Sequence, residues 1–241
     1  MTTTRIRRCG ETALLVDCAE LSEAVSLAGR IEQWRPDAVD VVAATRTVLV
    51  TVRDAAALPG LRRRLEALLA AAHTESGRTG DAVDSGHAGH AVTIDVRYDG
   101  PDLAAVADHA GMSTETLVRT HTSITWRAAF GGFAPGFFYL VDAREVDTRE
   151  VDTTEQDAAG VPSAEPALPA VPRLSSPRAR VPAGSVGLAD HFCAVYPGAS
   201  PGGWQLLGTT DAQLWDIGQP RPALLAPGVT VRFREIGGRS R

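Results

Sequence analysis

Lysine is missing altogether from the 241 residues, so all 24 cationic side chains are arginines. That excludes a Walker-type lysine, a Schiff-base lysine and a covalently attached biotin or pyridoxal, because each needs a primary amine. Any nucleotide or biotin chemistry has to come from another chain. Cysteine is almost as scarce. Cys9, Cys18 and Cys193 are too few and too scattered for a disulfide framework or a thiolate zinc site, which fits a reducing cytoplasm. No apolar run approaches a membrane span, and the run from Ala13, after Arg5, Arg7 and Arg8, is too short for a signal-peptide core. A cytoplasmic chain without a membrane partner is expected. The formal charge is −5, so the attraction that supplies most non-specific nucleic-acid affinity is lacking as well. Aromatics make up only 5% against 44% apolar residues, so the core has to be built from Ala, Val and Leu. With 23 Gly and 15 Pro, a loop-rich α+β protein follows.

Residues 1–90 read as a small α/β domain with a linker at its C-terminal end. Ala13 to Val16 is a short strand; Leu21, Ala24, Val25, Ala28, Ile31 and Trp34 recur at helical spacing before Pro36. Val39 to Val52 has the β-branched content of two strands. From Pro59, Leu61, Leu65, Leu68, Leu69 and Ala72 mark an amphipathic helix. Residues 74–90, rich in Gly, Ser, Asp and His, form the linker. The second domain, 91–241, opens with strand-like Val92 to Tyr98. A helix from Pro101 to Ala110 and a helix capped by Ser113 and ending at His121 follow. From Ser123 onward, short β-branched runs broken by Gly and Pro imply a compact barrel or sandwich. Residues 144–153 read Arg-Glu-Val-Asp-Thr twice, and acidic, Ala- and Pro-rich sequence continues to about 170, the composition of a mobile surface insertion.

The helix pair 103–119 has the spacing of a DNA-binding helix-turn-helix, but Asp102, Asp108 and Glu115 surround a single Arg119. It reads as a structural helical corner, and no nucleic-acid partner is expected. Of six histidines, His87 and His90 lie in the linker with no nearby carboxylate–histidine pattern of metal-ligand spacing, so no metal site is expected. His121 closes a helix just before a strand, where an imidazole can reach a pocket mouth and move a proton near neutral pH.

Two stretches set glycines beside aromatics, so that backbone N–H groups and ring faces can line one cavity. The first runs from Gly131 to Leu140 and includes Gly132, Phe133, Pro135, Gly136, Phe137 and Tyr139. The second is Ser200-Pro201-Gly202-Gly203-Trp204-Gln205. Between them, Arg173, Arg178 and Arg180 lie in a Pro-stiffened segment suited to carboxylate recognition.

The ordered series is His121; Gly132-Phe133-Ala134-Pro135-Gly136-Phe137 with Tyr139-Leu140; Pro177-Arg178; Val181-Pro182-Ala183-Gly184-Ser185-Val186; Tyr196-Pro197; and Ser200 to Trp204. It resembles the allophanate hydrolase subunit 1 family, which includes the B subunit of prokaryotic 5-oxoprolinase and a sporulation-kinase inhibitor. The resemblance covers nearly the whole chain. It implies a small N-terminal α/β domain followed by a cyclophilin-like β-barrel, and a subunit of an ATP-dependent lactam or amide hydrolase. The implied partners are a homologous larger barrel subunit and a third subunit, acting on a small anionic lactam or amide. ATP is used by the assembled complex, with no cofactor bound covalently here and the isolated chain inactive. In that scheme His121 moves a proton, and the N–H groups near Gly132, Gly136 and Gly203 stabilise the oxyanion. Arg178 holds the substrate carboxylate, with Arg127 and Arg173 next in line. The alternatives are an inhibitor of a sensor histidine kinase and a subunit of a urea or allophanate system. Asp190 to Ala194 stands where family members usually have a Gly-Gln-Thr-Gly-like stretch, and the insertion after Leu140 is also a departure.

Overall fold

The computed structural model describes residues 5–35, 37–75, 91–146 and 167–237. Most of the expected linker (76–90) and of the repeat-bearing insertion (147–166) lies outside them. The chain divides into two compact units, one up to Ala88 and the other from Gly89.

The first unit is an antiparallel sheet with two helices. Its elements are β1 (Arg5–Cys9), β2 (Ala13–Asp17), α1 (Leu21–Glu32), β3 (Ala38–Ala43), β4 (Thr47–Val52) and α2 (Leu58–Glu75), with strand order β1-β2-β4-β3. Alternate residues Leu14 and Val16 of β2, and Val48, Val50 and Val52 of β4, pack with Ala24, Leu27 and Ile31 of α1 and Leu58, Leu61 and Leu65 of α2. Strand β1 has no apolar alternation to announce it. It is an exposed edge paired along all of β2, and Arg7 donates to both oxygens of Asp17, at 2.9 and 2.6 Å.

The second unit contains β5 (Ala91–Val96), α3 (Leu103–His109), α4 (Thr114–Ser123), β6 (Trp126–Gly131), β7 (Phe138–Asp142) and the short α5 (Ala143–Val146). After the insertion come β8 (Arg178–Val181), β9 (Ser185–Ala189), β10 (Phe192–Val195), β11 (Ser200–Gly202), β12 (Gln205–Thr209) and β13 (Thr230–Glu235). Seven strands in the order β12-β9-β10-β7-β6-β13-β5 form one sheet, antiparallel except for the parallel pair β13 and β5. It curls until its ends meet: Arg97 and Thr209 exchange two backbone hydrogen bonds of 2.8 Å, joining the β5 end to β12. Gly208 stands at this seam because a Cβ there would run into the carbonyl of Arg97.

Strand alternation then divides the side chains between two faces. Ile94, Val96, Trp126, Ala128, Leu140, Val186, Leu188, Cys193, Val195, Leu207, Val231 and Phe233 fill the interior. Val106 and Ala107 of α3 and Leu117 of α4 complete that core, so the helix pair is a structural corner. Ser113 caps α4, its Oγ accepting from the Thr116 N–H at 3.2 Å. The neighbouring residues Tyr139, Ala189, Phe192, Ala194 and Leu206 belong to a second cluster, on the outer face, with Phe137, Val181, Tyr196 and Trp204.

Candidate ligand surface on the outer face of the barrel

The outer cluster is built around Phe137, the residue that leads into β7. Its ring meets Tyr139 at 5.5 Å, Tyr196 at 5.5 Å and Trp204 at 5.7 Å, all edge to face, and Phe133 at 4.8 Å. Tyr139 touches Trp204 at 5.5 Å and stacks on Phe130 at 4.7 Å. Phe137 and Trp204 are buried, whereas Phe133 is 64% exposed beside them. The two Gly/aromatic stretches therefore lie together, although some sixty residues separate them.

The glycines make these contacts possible. A Cβ on Gly132 would collide with the Phe137 ring, and one on Gly202 with the Tyr196 hydroxyl. Gly136 has φ 81° and packs against the Leu214 carbonyl, a position where a side chain is both strained and obstructed. The Gly132 N–H, expected to face an oxyanion, instead donates to the Phe137 carbonyl at 2.8 Å and closes the loop. Pro135 is exposed in this loop. Gly203 accepts from the Leu174 N–H at 2.8 Å, and Gln205 Nε2 donates to the Pro172 carbonyl at 3.1 Å. Ser200 Oγ is buried without a hydrogen-bond partner among the described residues.

Arg178 departs from its expected role of holding a substrate carboxylate. Its Nη2 donates to Asp102 Oδ1 at 2.7 Å and its Nη1 to the Trp204 carbonyl at 3.3 Å. Asp102 Oδ2 accepts the Leu206 N–H at 2.6 Å. The half-buried guanidinium is thus committed to locking the start of α3 onto β12.

His121 also sits elsewhere than a pocket mouth. It is fully buried, with Nδ1 2.8 Å from the Tyr98 hydroxyl and Nε2 3.3 Å from Cys193 Sγ. A neutral imidazole offers one donor and one acceptor, and both neighbours can take the complementary role. Phe233 and Trp126 flank the ring at 4.7 and 5.2 Å, and Trp126 Nε1 donates to the His121 carbonyl at 3.1 Å. Burial lowers its pKa from 6.5 to about 3 and raises that of Cys193 well above the usual thiol range. Cys193 points inward while its neighbours Phe192 and Ala194 point outward, so the sheet itself separates His121 from the aromatic cluster.

Phe192, Phe130 and Asp102 are parts of this region that the sequence alone does not assign to it. Alternation in β10 is the available signal for Phe192. Arg173 Cζ lies 5.7 Å from the Trp204 ring centroid. Burial raises the Tyr196 hydroxyl pKa, and the charges of Arg173 and Arg178 pull it partly back.

A separate shallow cleft is lined by residues that include Trp126, Asp142, Glu145, Leu168, Asp190 and His191. Asp190 and His191 are the two-residue turn between β9 and β10, and Asp190 adopts φ 56°, which Asp tolerates better than most residues. Burial raises the Glu145 pKa and His191 partly offsets the rise. Among the described residues no group of three His, Cys, Asp or Glu is placed to hold a metal ion, and no helix is long and apolar enough to cross a membrane.

A largely buried aromatic cluster on the outer face of a nearly closed barrel, in a chain that also carries a small antiparallel α/β unit, defines the class. The chain matches the carboxyltransferase domain, subdomain C and D, over residues 4–152 and 159–225. It is 34% identical over 236 residues to the 5-oxoprolinase B subunit of Escherichia coli O157:H7, covering 93% of this chain and 92% of that one. The crystal structure of TTHA0988 in space group P212121 superposes with a TM-score of 0.66 at 30% identity, over 98% of this chain but only 41% of that longer one. Kluyveromyces lactis urea carboxylase shares the fold, with a TM-score of 0.62 at 16% identity, over 97% of this chain and 22% of that one. The chain belongs to the family of 5-oxoprolinase B subunits.

Proposed function

We propose that this chain is a subunit of an ATP-dependent 5-oxoprolinase-type amidohydrolase, and that its share of the work is to present the outer-face aromatic surface to a small cyclic anion in a complex with partner subunits. The observation that carries the reading is the near full-length match to the 5-oxoprolinase B subunit, together with the meeting of the two Gly/aromatic stretches at Phe137 and Trp204. Opening a five-membered lactam requires an activated carbonyl, a stabilised oxyanion and a held carboxylate. The residues here suit the third task. Ring faces can cover the apolar edge of a lactam, and a guanidinium can meet its carboxylate.

They do not suit ATP. The chain has no lysine, and its glycine-rich stretch from Gly131 is a β6–β7 connection closed by its own hydrogen bond instead of a phosphate cradle opening a helix. In this reading ATP chemistry falls to the partners, a homologous larger barrel subunit and a third subunit, in the cytoplasm. His121 is assigned to holding the core. Reconstitution tests the reading: the complex hydrolyses ATP in a manner dependent on 5-oxo-L-proline, while the pure chain alone does neither. Cleavage of 5-oxoproline by the pure chain, or none by the reconstituted complex, would contradict it.

A further inference from the structure

Three arginines compete for the carboxylate, and their surroundings separate them. Arg178 is bound to Asp102 and to the Trp204 carbonyl. Arg127 donates from Nη1 to the Gly228 carbonyl at 2.8 Å and to Thr230 Oγ1 at 2.9 Å, tying β6 to β13. Arg173 is exposed, and among the described residues its guanidinium has no hydrogen-bond or ion-pair partner. A contact with a ring face uses none of the five N–H donors of an arginine.

We infer that Arg173, held beside the Trp204 ring, is the carboxylate-binding residue of the outer-face surface, and that the ligand is a small carboxylate with an apolar ring. The backbone of Arg173 is pinned on both sides: the Pro172 carbonyl accepts from Gln205 Nε2, and the Leu174 N–H donates to Gly203. Both anchors lie next to Trp204 in sequence, so the arginine and the indole are positioned by one short stretch of chain. Pre-placement of this kind reduces the ordering cost of binding. The charge of Arg173 already acts on the Tyr196 hydroxyl, so an anion meeting it lies beside the aromatic cluster. The planar fork of the guanidinium matches a carboxylate at two points. The identity of the carboxylate as 5-oxoproline rests on the proposed function; the role of Arg173 rests on the geometry.

Calorimetric titration of the full chain with 5-oxo-L-proline, cyclopentanecarboxylate and the uncharged 2-pyrrolidinone tests this, with the Trp204 indole N–H resonance as a local readout. The unaltered chain binds at least one carboxylate, with 2-pyrrolidinone weaker by about tenfold or more. Arg173→Ala loses about tenfold or more in affinity together with the Trp204 shift, and Arg173→Lys falls between them. Affinity within about twofold in Arg173→Ala, or no carboxylate binding by the unaltered chain, overturns the inference. Reconstituted activity distinguishes the two proposals. An active complex whose KM is unchanged by Arg173→Ala removes Arg173 and leaves the function. A complex inactive on 5-oxoproline, in which this chain still binds cyclopentanecarboxylate through Arg173, removes the function and leaves the residue.

Discussion

The interior of the barrel and its outer side contrast sharply in what they do with polar groups. Inside, His121, Tyr98 and Cys193 satisfy one another among apolar side chains, and burial holds all three neutral. Outside, Arg178 is spent on Asp102, whereas the Arg173 guanidinium lies beside the Trp204 ring without a hydrogen-bond partner among the described residues. A histidine next to a strand and an arginine in a Pro-rich segment look equally functional in one dimension. Packing decides between them: His121, near the end of α4, is sealed against Trp126 and Phe233, whereas Arg173 lies in an exposed segment ahead of β8.

The largest effect belongs to the interior. His121→Ala removes ring contacts with Trp126 and Phe233 and strands the Tyr98 hydroxyl, so stability should fall by about 3 kcal/mol or more in urea unfolding. A change under about 1 kcal/mol would show that the ring is not a core element. Asp102→Ala should cost about 2 kcal/mol, since it leaves Arg178 and the Leu206 N–H without their acceptor; the same unfolding assay checks it.

These features differ in how legible they are in the sequence. The helices and most strands follow from apolar spacing, and the Ser113 cap and both Gly/aromatic stretches are readable directly. Strand β1 is not, because Arg5, Arg7 and Arg8 carry no apolar alternation and the strand is held by pairing to β2 and by the Arg7–Asp17 ion pair. Arg178 looks free for a ligand in the sequence because its partner, Asp102, lies 76 residues away. His121 misleads for a similar reason: Tyr98 and Cys193 reach it from 23 and 72 residues away. Arg173 gains its distinction only by elimination, once the bonds of its neighbours are known.

A pH dependence sharpens the interior side. A folded pKa of about 3 against 6.5 for an exposed imidazole means that the unfolded chain binds more protons between these values. The His121 contribution is therefore complete above pH 6.5 and is lost as the pH falls toward 3. At its steepest the loss is about 1.4 kcal/mol per pH unit. Unfolding profiles should show this, and His121→Leu should flatten that part of the curve. The smallest effect lies outside. Phe133→Ala should leave stability within about 0.5 kcal/mol because the ring is mostly exposed, while weakening carboxylate binding measured by calorimetry. A large stability loss would make Phe133 part of the fold instead of the surface.

The separation of the two faces is tested most directly by the protonation of one ring. Histidine side-chain NMR on the folded chain, followed from pH 8 to pH 5, reports the His121 nitrogens individually. His121 is expected to stay neutral throughout, its signals unmoved. A His121 midpoint near the ordinary value of 6.5 would place the ring in water and contradict the division between sealed interior and ligand-bearing exterior.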